Sequence, residues 1–276
     1  MERWPESSYR VGISGWRYAP WRKVYYPEGL PQRAELEYAS RRLNSIELNG
    51  SFYSLQRPSS YQRWYDETPD GFVFSVKGPR FVTHLKKLAD VDAPLANFFA
   101  SGVLALGNKL GPVLWQLPPN FGYNADRRAA FFELLPRTTA EAAEVAKGHD
   151  ARMEGRALLE CSVDIPLRHA IEVRHSSFEK PEFVELLRTH DIALVCADTA
   201  GKWPMFGDVT SDFAYVRLHG AEELYVSGYD DDALDRWAAK IQAWDTNAFI
   251  YFDNDVKVRA PFDAEGLAQR LGITSA

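Results

Sequence analysis

The residues with the clearest chemical potential lie in the short stretch Ala170-Ile171-Glu172-Val173-Arg174-His175. Its apolar residues predict a buried strand, and side chains along a strand point alternately to opposite faces. Glu172 and Arg174 would therefore share one face of that strand. A carboxylate and a guanidinium on the inner face of a buried strand cost free energy unless they are paired or used in binding or catalysis. The pattern therefore predicts part of a functional site.

Polar residues recur in the same way at the ends of most other predicted strands. The earlier parts of these strands are apolar, whereas their last residues are charged or carry an amide. In a barrel of alternating strands and helices, the active site lies at the C-terminal ends of the strands. The further polar residues at these strand ends are Glu47, Asn49, Lys77, Gln116, Asp198, Arg217, His219, Asp253 and Asn254.

Four of the selected residues are candidate catalytic groups. Glu47 and Glu172 could act as general acids or bases. His219 could be a second proton carrier, because the intrinsic pKa of histidine lies near neutrality. Lys77 could be a Schiff-base nucleophile. A fixed positive charge that faces a carboxylate or a ligand is the simpler interpretation of this lysine.

Basic residues near the same strand ends indicate an anionic substrate, because guanidinium groups match phosphate and carboxylate geometry. The candidate anion-binding residues are Arg80, Arg174 and Arg217, together with Lys77. We expect an electropositive pocket in which the glutamates stay ionised and each pairs with a cation. The alternative is a purely structural ion-pair network, in which Glu172 pairs with Arg217 or Asp198 pairs with Lys77.

Cofactor signals in the sequence are weak. A divalent metal could be held by Glu47, Glu172, Asp198 and His219. No close HxH or HxxE spacing supports such a site, so the metal stays an open alternative. Gly12 and Gly15 match a GxGxxG phosphate loop only in part, so no nucleotide cofactor is predicted. Cys161 and Cys196 lack metal-binding spacing, which indicates reduced thiols with neither a zinc site nor a disulfide.

Aromatic residues cluster after the first two predicted strands. The cluster comprises Trp16, Tyr18, Trp21, Phe52 and Tyr53. Such residues form either plain core or a stacking wall over the pocket. Because Trp16 and the pair Phe52-Tyr53 directly follow strands, their positions favour the wall.

The candidate residues must be positioned by regular elements, and the sequence contains eight apolar segments typical of strands. Most are separated by segments of helical periodicity, such as Pro181 to His190. Alternating strands and helices imply parallel pairing with the helices outside, and eight such units predict a single (β/α)8 TIM-type barrel of the α/β class. It would occupy residues 1–276, with its core at about 11–271 and an excursion at about 137–161. An open, doubly wound sheet is the alternative.

Composition limits the partners that can be expected. The chain has 276 residues, of which 46% are hydrophobic, with a formal net charge of −6 and a pI near 5.6. An acidic protein has no general attraction for nucleic acid or an anionic membrane, so any basic surface must be local. No apolar run is long enough to span a bilayer, and the polar stretch from Met1 to Tyr9 lacks the apolar core of a signal peptide. We therefore expect a cytoplasmic protein without a membrane partner.

Seven motifs, taken in order, resemble those of the YecE-like family, which is domain of unknown function family 72. The motifs are Ile13-Ser14-Gly15-Trp16, Ile46-Glu47-Leu48-Asn49 with Phe52-Tyr53, Phe74-Ser75-Val76-Lys77, Trp115-Gln116-Leu117-Pro118-Pro119, Ile171-Glu172-Val173-Arg174-His175, Tyr215-Val216-Arg217-Leu218-His219-Gly220 and Tyr251-Phe252-Asp253-Asn254-Asp255. The resemblance covers about Val11 to Leu271. It implies a TIM-type barrel with a polar pocket at the strand ends and no established activity.

The same resemblance bears on nucleic acid, because this family has been compared with endonuclease IV-like barrels. Two departures from the family pattern affect the pocket and its surroundings. Asp253 stands where the family usually has asparagine, which adds negative charge to the rim. The excursion at 137–161 is also longer than a minimal member would need.

Three functional hypotheses remain at this point. The first is an enzyme, such as a hydrolase, lyase or isomerase, that acts on a small phosphorylated or carboxylated molecule at the strand ends. The second is a nucleic-acid-binding or nucleic-acid-processing barrel, which the local basic and aromatic residues favour and the acidic pI disfavours. The third is a protein that binds a ligand in its pocket without turnover. The fold does not decide among them.

Overall fold

Eight parallel strands form a closed barrel in the computed structural model, which describes residues 9–273. The strands are β1 (Tyr9–Ser14), β2 (Ser45–Leu48), β3 (Val73–Lys77), β4 (Leu110–Gln116), β5 (His169–Glu172), β6 (Ile192–Asp198), β7 (Phe213–Leu218) and β8 (Asn247–Phe252). Each strand pairs with the next along the chain, and β8 pairs with β1 in a register that sets Tyr251 opposite Gly12. This closure confirms the predicted (β/α)8 TIM-type barrel and excludes the open sheet. The stretch examined for a signal peptide lies outside the described residues, apart from Tyr9.

The helices surround the barrel and begin at recognisable signals. Within residues 9–273, they are α1 (Glu35–Ser40), α2 (Gly50–Tyr53), α3 (Pro58–Asp66), α4 (Asp92–Ala100), α5 (Ala125–Glu133), α6 (Thr139–Ala146), α7 (Pro181–Thr189), α8 (Asp231–Ala243) and α9 (Ala260–Arg270). Proline occupies the first turn of α3, α7 and α9, where its missing N–H removes no helical hydrogen bond. The side chains of Asn124, Thr138 and Asp230 accept backbone N–H groups at the starts of α5, α6 and α8.

Helix α4 is the long helix that the sequence pattern does not predict. Its residues from Leu95 to Ala100 are all buried, so the usual alternation of apolar and polar faces is missing. The excursion at 137–161 contains α6 and covers the outer side of α4. The Asp150 N–H donates to Asn97 Oδ1 at 3.0 Å, and the Leu158 N–H donates to the Ala100 carbonyl at 2.8 Å. The excursion therefore packs on the face of α4 that would be exposed to solvent in an amphipathic helix.

The connection between β6 and β7 differs from the other crossovers, because residues 199–212 contain no helix. The predicted strand over Ala170 to His175 is also too long. The ladder between β5 and β6 extends only to the pair of Ile171 with Leu194, and β5 ends at Glu172. Arg174 is consequently positioned by a loop and not by the alternation of a strand.

The interior of the barrel is filled by side chains in layers, as in other barrels of this type. The apolar layers include Val73, Leu114, Ala170, Ala193 and Phe213. Above them, Tyr215 and Tyr251 bond to serine hydroxyls of neighbouring layers: Tyr215 to Ser75 at 2.6 Å and Tyr251 to Ser45 at 2.7 Å. Charged side chains follow at the C-terminal ends of the strands. The site therefore has a closed, packed floor.

The close approach of β1 to β2 gives the first prediction. A Cβ atom added at Gly12 would lie 1.9 Å from the Ser45 carbonyl oxygen, which belongs to the backbone of β2 and is not free to rotate away. We expect Gly12→Ala to lower the free energy of unfolding by about 3 kcal/mol, the upper end of what overpacking usually costs. Gly207→Ala is the control, because a Cβ there meets nothing within 4 Å. Urea unfolding of both variants checks the prediction, and equal stabilities would contradict it.

Candidate active site

Arg217 lies at the centre of the strand-end cluster and is fully buried. Its Nη2 donates to Glu47 Oε1 at 2.9 Å, and its Nε donates to Glu47 Oε2 at 3.1 Å. Its Nη1 donates to Glu172 Oε2 at 2.8 Å, and Nη2 also donates to Asp253 Oδ2 at 2.9 Å. The guanidinium thus binds carboxylates that come from β2, β5 and the end of β8. Its hydrogen-bonding capacity is used within the protein.

Glu47 is held on both of its oxygens and is fully buried. Besides Arg217, Oε1 accepts the Ser14 hydroxyl at 3.0 Å and Oε2 accepts the Tyr215 hydroxyl at 2.7 Å. Burial and the charge of Glu47 raise the pKa of Tyr215 well above its usual range, so this phenol stays protonated and donates. Ser14 and Tyr215 are therefore further site residues: Ser14 ends β1 and was not selected with the other strand-end residues, whereas Tyr215 lies inside β7. Tyr215 shares the inner face of its strand with Arg217, which was a usable signal.

Glu172 connects two arginines. Its Oε2 accepts from Arg217, and its Oε1 accepts from the Nε of Arg174 at 2.6 Å. Burial would raise the pKa of this carboxyl, but the charges of Arg174 and Arg217 outweigh burial and hold the pKa well below its usual range. Glu172 is therefore an ionised bridge between the buried centre and the pocket.

His219 is fully buried and neutral. Burial and the charge of Arg217 lower its pKa, against the opposing effect of Asp253. Its Nε2 lies 3.3 Å from Arg217 Nη1 and can only accept there, which leaves the proton on Nδ1. That Nδ1 lies 3.1 Å from Asp253 Oδ2, although not in good hydrogen-bond geometry. For Asp253, burial would raise the pKa, but Arg217 and His219 lower it to about 2.

Arg174 differs from Arg217 because most of its guanidinium is unused. Only its Nε donates, to Glu172, and its terminal nitrogens have no hydrogen-bond partner within residues 9–273. The guanidinium lies 4.0 Å from the centroid of the Trp203 ring, which fixes its plane. The side chain is 10% exposed. It is therefore a preoriented donor at the edge of the cluster.

Lys77 ends β3 on the inner face of the barrel and is 8% exposed. Its Nζ lies 4.4 Å from the centroid of the Phe52 ring and has no hydrogen-bond partner in the described part of the chain. Burial, followed by the charge of Arg217, lowers its pKa to about 8. Whether it is protonated or neutral, the Lys77 amine thus forms no hydrogen bond with a described residue and can donate to a ligand.

His84, in the loop after β3, shows how the remaining cations are distributed. Burial, together with the charges of Lys77, Arg80 and Arg174, lowers its pKa to about 4. All three cations therefore act on one neutral imidazole. Its ring packs edge-on against Phe52 at 5.1 Å. The sequence places His84 near the third strand but gives no signal for this environment.

The opposite side of the mouth is acidic. Asp255 follows β8, and burial together with the charge of Asp253 raises its pKa to about 6. Tyr18 lies beside it and donates its hydroxyl to the Ser14 carbonyl at 2.5 Å. The site thus has a cationic half near β3 and β5 and an acidic half near β8 and β1. The sequence-based expectation of an electropositive pocket did not include this division.

Three residues selected from the sequence lie outside the cluster. Asp198 accepts from the Tyr229 hydroxyl at 3.1 Å, because Val195 and Ala197 occupy the inner face of β6 and Asp198 points outward. Asn254 points away in the same manner and donates to Asp263 Oδ2 at 2.8 Å. Trp16 packs edge-on against Trp64 of α3 at 5.6 Å and is 7% exposed, so it is core and not a stacking wall.

The other selected residues lie at the rim. Gln116 is paired in register with Glu172 and donates to the Leu117 carbonyl at 3.0 Å. The Oδ1 of Asn49 is buried without a hydrogen-bond partner in the described residues. Tyr53 is 72% exposed and, with the exposed Arg80, lines a cavity of about 460 Å³ beside Phe52.

Metal-binding side chains, cysteine thiols and apolar helices are the remaining features that the sequence analysis considered. Within residues 9–273, no group of three or more His, Cys, Asp or Glu side chains is placed to hold a metal ion. Cys161 and Cys196 are both free thiols. None of the helices in the described ranges has the length and apolar character needed to cross a bilayer.

Comparison with known proteins identifies the family of this chain. The sequence profile described as "Protein of unknown function DUF72" matches residues 10–276. The UPF0759 protein YecE of Escherichia coli strain K12 is 24% identical over 261 residues, which cover 91% of this chain and 88% of that protein. The UPF0759 protein YunF of Bacillus subtilis strain 168 is 32% identical over 116 residues, 40% of each chain.

Solved structures agree with the fold. A DUF72 family protein from Thermotoga maritima superposes with a TM-score of 0.76 at 24% identity, and covers 96% of this chain and 99% of its own. A DUF72 family protein from Enterococcus faecalis superposes with a TM-score of 0.73 at 15% identity and covers 97% of both chains. At these identities, the likeness extends to the fold alone.

The buried centre of the cluster gives the second prediction. Arg217→Met would leave the carboxylates of Glu47, Glu172 and Asp253 without their shared cation. We expect the free energy of unfolding to fall by about 3–5 kcal/mol. Arg41→Met is the control, because the exposed pair of Arg41 with Glu37 should contribute no more than about 0.5 kcal/mol.

Urea unfolding measures both losses. Adding Glu47→Gln to Arg217→Met should restore part of the stability, because one stranded charge is removed. A loss no larger than that of the surface control would show that the cluster is not held by Arg217.

Lys77 gives the third prediction, in which a substitution stabilises the protein. Because the pKa of Lys77 is about 8 in the folded protein against an ordinary 10.5, folding opposes its charged form. The cost is complete below pH 8, shrinks as the pH rises from 8 towards 10.5, and is lost above 10.5, where the lysine is neutral in both states. Lys77→Met should therefore raise the free energy of unfolding at pH 7 by roughly 1–3 kcal/mol.

Denaturant titrations across this pH range test the claim. The gain should shrink steadily above pH 8, whereas the exposed-site control Lys86→Met should stay within about 0.5 kcal/mol at every pH. Destabilisation by Lys77→Met at neutral pH would refute the assignment of Lys77 as a strained charge.

Proposed function

Because this chain belongs to the DUF72 family of proteins of unknown function, we propose its function from the site itself: an enzyme that binds and transforms a small phosphorylated or carboxylated molecule at the C-terminal mouth of the barrel. The substrate would lie between the cationic and acidic halves of the mouth. Its anionic group would be bound in the cationic half, and its reacting atoms would face the carboxylates.

The observation that carries this proposal is the unused hydrogen-bonding capacity of Lys77 and Arg174. A structural network would be expected to saturate its cations, as Glu47, Glu172 and Asp253 saturate Arg217. Among residues 9–273, by contrast, neither the terminal nitrogens of Arg174 beside Trp203 nor the Nζ of Lys77 has a hydrogen-bond partner, although burial disfavours the charge of Lys77. Groups held in this state are suited to an anion that arrives from solution.

The remaining site residues divide by role. The hydrogen-bonding atoms of Glu47 and Arg217 are occupied within the cluster, and His219 is buried and accepts from Arg217, so we assign all three to positioning. Glu172 orients Arg174 through its Oε1. For proton transfer we favour Asp255, because its pKa of about 6 lies close to the working pH of most enzymes. This assignment replaces the proton-carrier role expected of His219.

A second candidate, nucleic-acid binding, is favoured by one feature beside the mouth. Tyr53 is largely exposed and lines a cavity with Phe52, Arg80 and Arg152. Exposed aromatics next to arginines can stack on the bases of a single strand. The net charge of −6 opposes this function unless the field is local. A ligand-binding role without turnover is the third candidate.

The fourth prediction tests the anion site. Arg174→Ala should weaken the binding of phosphate and small phosphorylated or carboxylated compounds by at least about tenfold, because it removes the free guanidinium nitrogens. The protein should stay folded, since Glu172 keeps its hydrogen bond from Arg217. Arg168→Ala is the matched control, because Arg168 pairs with Asp212 at the opposite end of the barrel.

Calorimetric titration of the wild type and both variants gives the answer. Equal binding in the wild type and Arg174→Ala, or no binding to either, would remove the anion site. Titration with a short single-stranded oligonucleotide separates the second candidate, whose affinity should depend on Tyr53 and fall steeply with salt. Bound compounds that remain unchanged after prolonged incubation with wild-type protein would favour the third.

A further inference from the structure

We propose that Lys77 is a nucleophile, which forms an imine with an aldehyde or ketone group of the substrate. This inference rests on the proposed function and refines it, because the substrate would carry a carbonyl group as well as an anionic group. The amine would attack the carbonyl carbon while Arg174 holds the phosphate or carboxylate.

The geometry of Lys77 distinguishes it from a structural lysine. The backbone around it is fixed, because Ser51 Oγ donates to the Lys77 carbonyl at 2.6 Å and the Gly78 N–H donates to the Leu114 carbonyl at 2.8 Å. The side chain leaves the end of β3 on the inner face of the barrel, with the Phe52 ring against its Nζ. The amine is therefore held in place by packing, while its N–H groups have no hydrogen-bond partner among the described residues.

Lys109 shows how this chain buries a lysine for structural purposes. It is 3% exposed and lies just before β4, at the opposite end of the barrel from Lys77. Its Nζ donates to the Tyr65 carbonyl at 2.7 Å, to the Thr68 carbonyl at 2.7 Å and to Thr68 Oγ1 at 3.2 Å. All three ammonium protons are thus engaged. Lys77, with none engaged by the described residues, has the opposite character.

The charges near Lys77 suit both the attack and its product. With a pKa of about 8, roughly a tenth of Lys77 is the neutral amine at pH 7, compared with less than a thousandth for an ordinary lysine. Glu47, Glu172 and Asp253 act on Lys77 in the opposite direction to Arg217 and favour a positive charge at this position. They would stabilise an iminium ion as they stabilise the ammonium.

The chemical step balances without a further reactant. The ammonium first loses one proton, and the amine nitrogen then forms a bond to the carbonyl carbon. The carbonyl oxygen leaves as water after it has taken up both remaining amine protons, and the proton lost at the start returns to the imine nitrogen. The net change is ammonium plus carbonyl to iminium plus water. The cationic charge at Lys77 is unchanged, so the surrounding carboxylates need not move.

The fifth prediction traps this adduct. We would incubate the whole protein with dihydroxyacetone phosphate or with pyruvate, add sodium cyanoborohydride, and map the modified peptides by mass spectrometry. Reduction delivers hydride to the iminium carbon and leaves a stable secondary amine. We expect the adduct on Lys77 at near-stoichiometric yield with at least one probe, and at least about tenfold above Lys109 and the surface lysines in the same digest.

Lys77→Arg is the companion variant, because it keeps the positive charge but cannot form the imine. It should keep the cooperative urea unfolding of the wild type and lose the adduct. Absence of the adduct with both probes, or modification spread evenly over surface lysines, would overturn the imine. If the probes still bind by calorimetry in that case, the anion site stands and only the nucleophile is wrong. If binding is also absent, the proposed function fails with it.

Discussion

The hydrogen bonds between one buried guanidinium and carboxylates from different strands organise this molecule. Burial of the Arg217 charge in the barrel would destabilise the fold without Glu47, Glu172 and Asp253. Burial of each of these carboxylates would likewise destabilise the fold without Arg217. Tyr215 and Ser14 complete the oxygens of Glu47, so the centre of the mouth is saturated. A guanidinium occupies the point on which the acids converge, which gives the site a fixed electrostatic floor.

That fixed floor determines what the other cations can do. The central carboxylates already share Arg217. Lys77 and the terminal nitrogens of Arg174 therefore lie near negative charge without forming hydrogen bonds to it within the described residues. The closest of these contacts, from Arg174 to Glu172, uses a single nitrogen. The two cations are consequently desolvated, oriented and available together. An arrangement of this kind lowers the stability of the fold and keeps the cations available, a trade-off that is common at functional sites.

The sequence allowed the barrel and the location of its mouth to be predicted, because apolar strands with polar ends leave a plain pattern. Alternation also grouped Arg217 and His219 on one face. The errors at Asp198 and Asn254 have a single physical cause: both residues lie at strand ends, but their side chains point outward and bond to Tyr229 and Asp263. The distinction between a saturated Arg217 and an available Arg174 could not be predicted, since it depends on distances between strands that are far apart in the sequence.

The helix-free connection between β6 and β7 has a consequence for how members of such a family can diverge. Residues 199–212 are pinned to β6, because the Leu194 N–H donates to Thr210 Oγ1 at 2.8 Å, and they bring Trp203 onto the face of Arg174. Where the other crossovers use their length to form helices outside the barrel, this one uses it to cover Arg174. Substitutions in this loop can change what lies over that arginine while every strand pairing is kept. The surroundings of Arg174 and the stability of the fold can therefore evolve separately at this point of the chain.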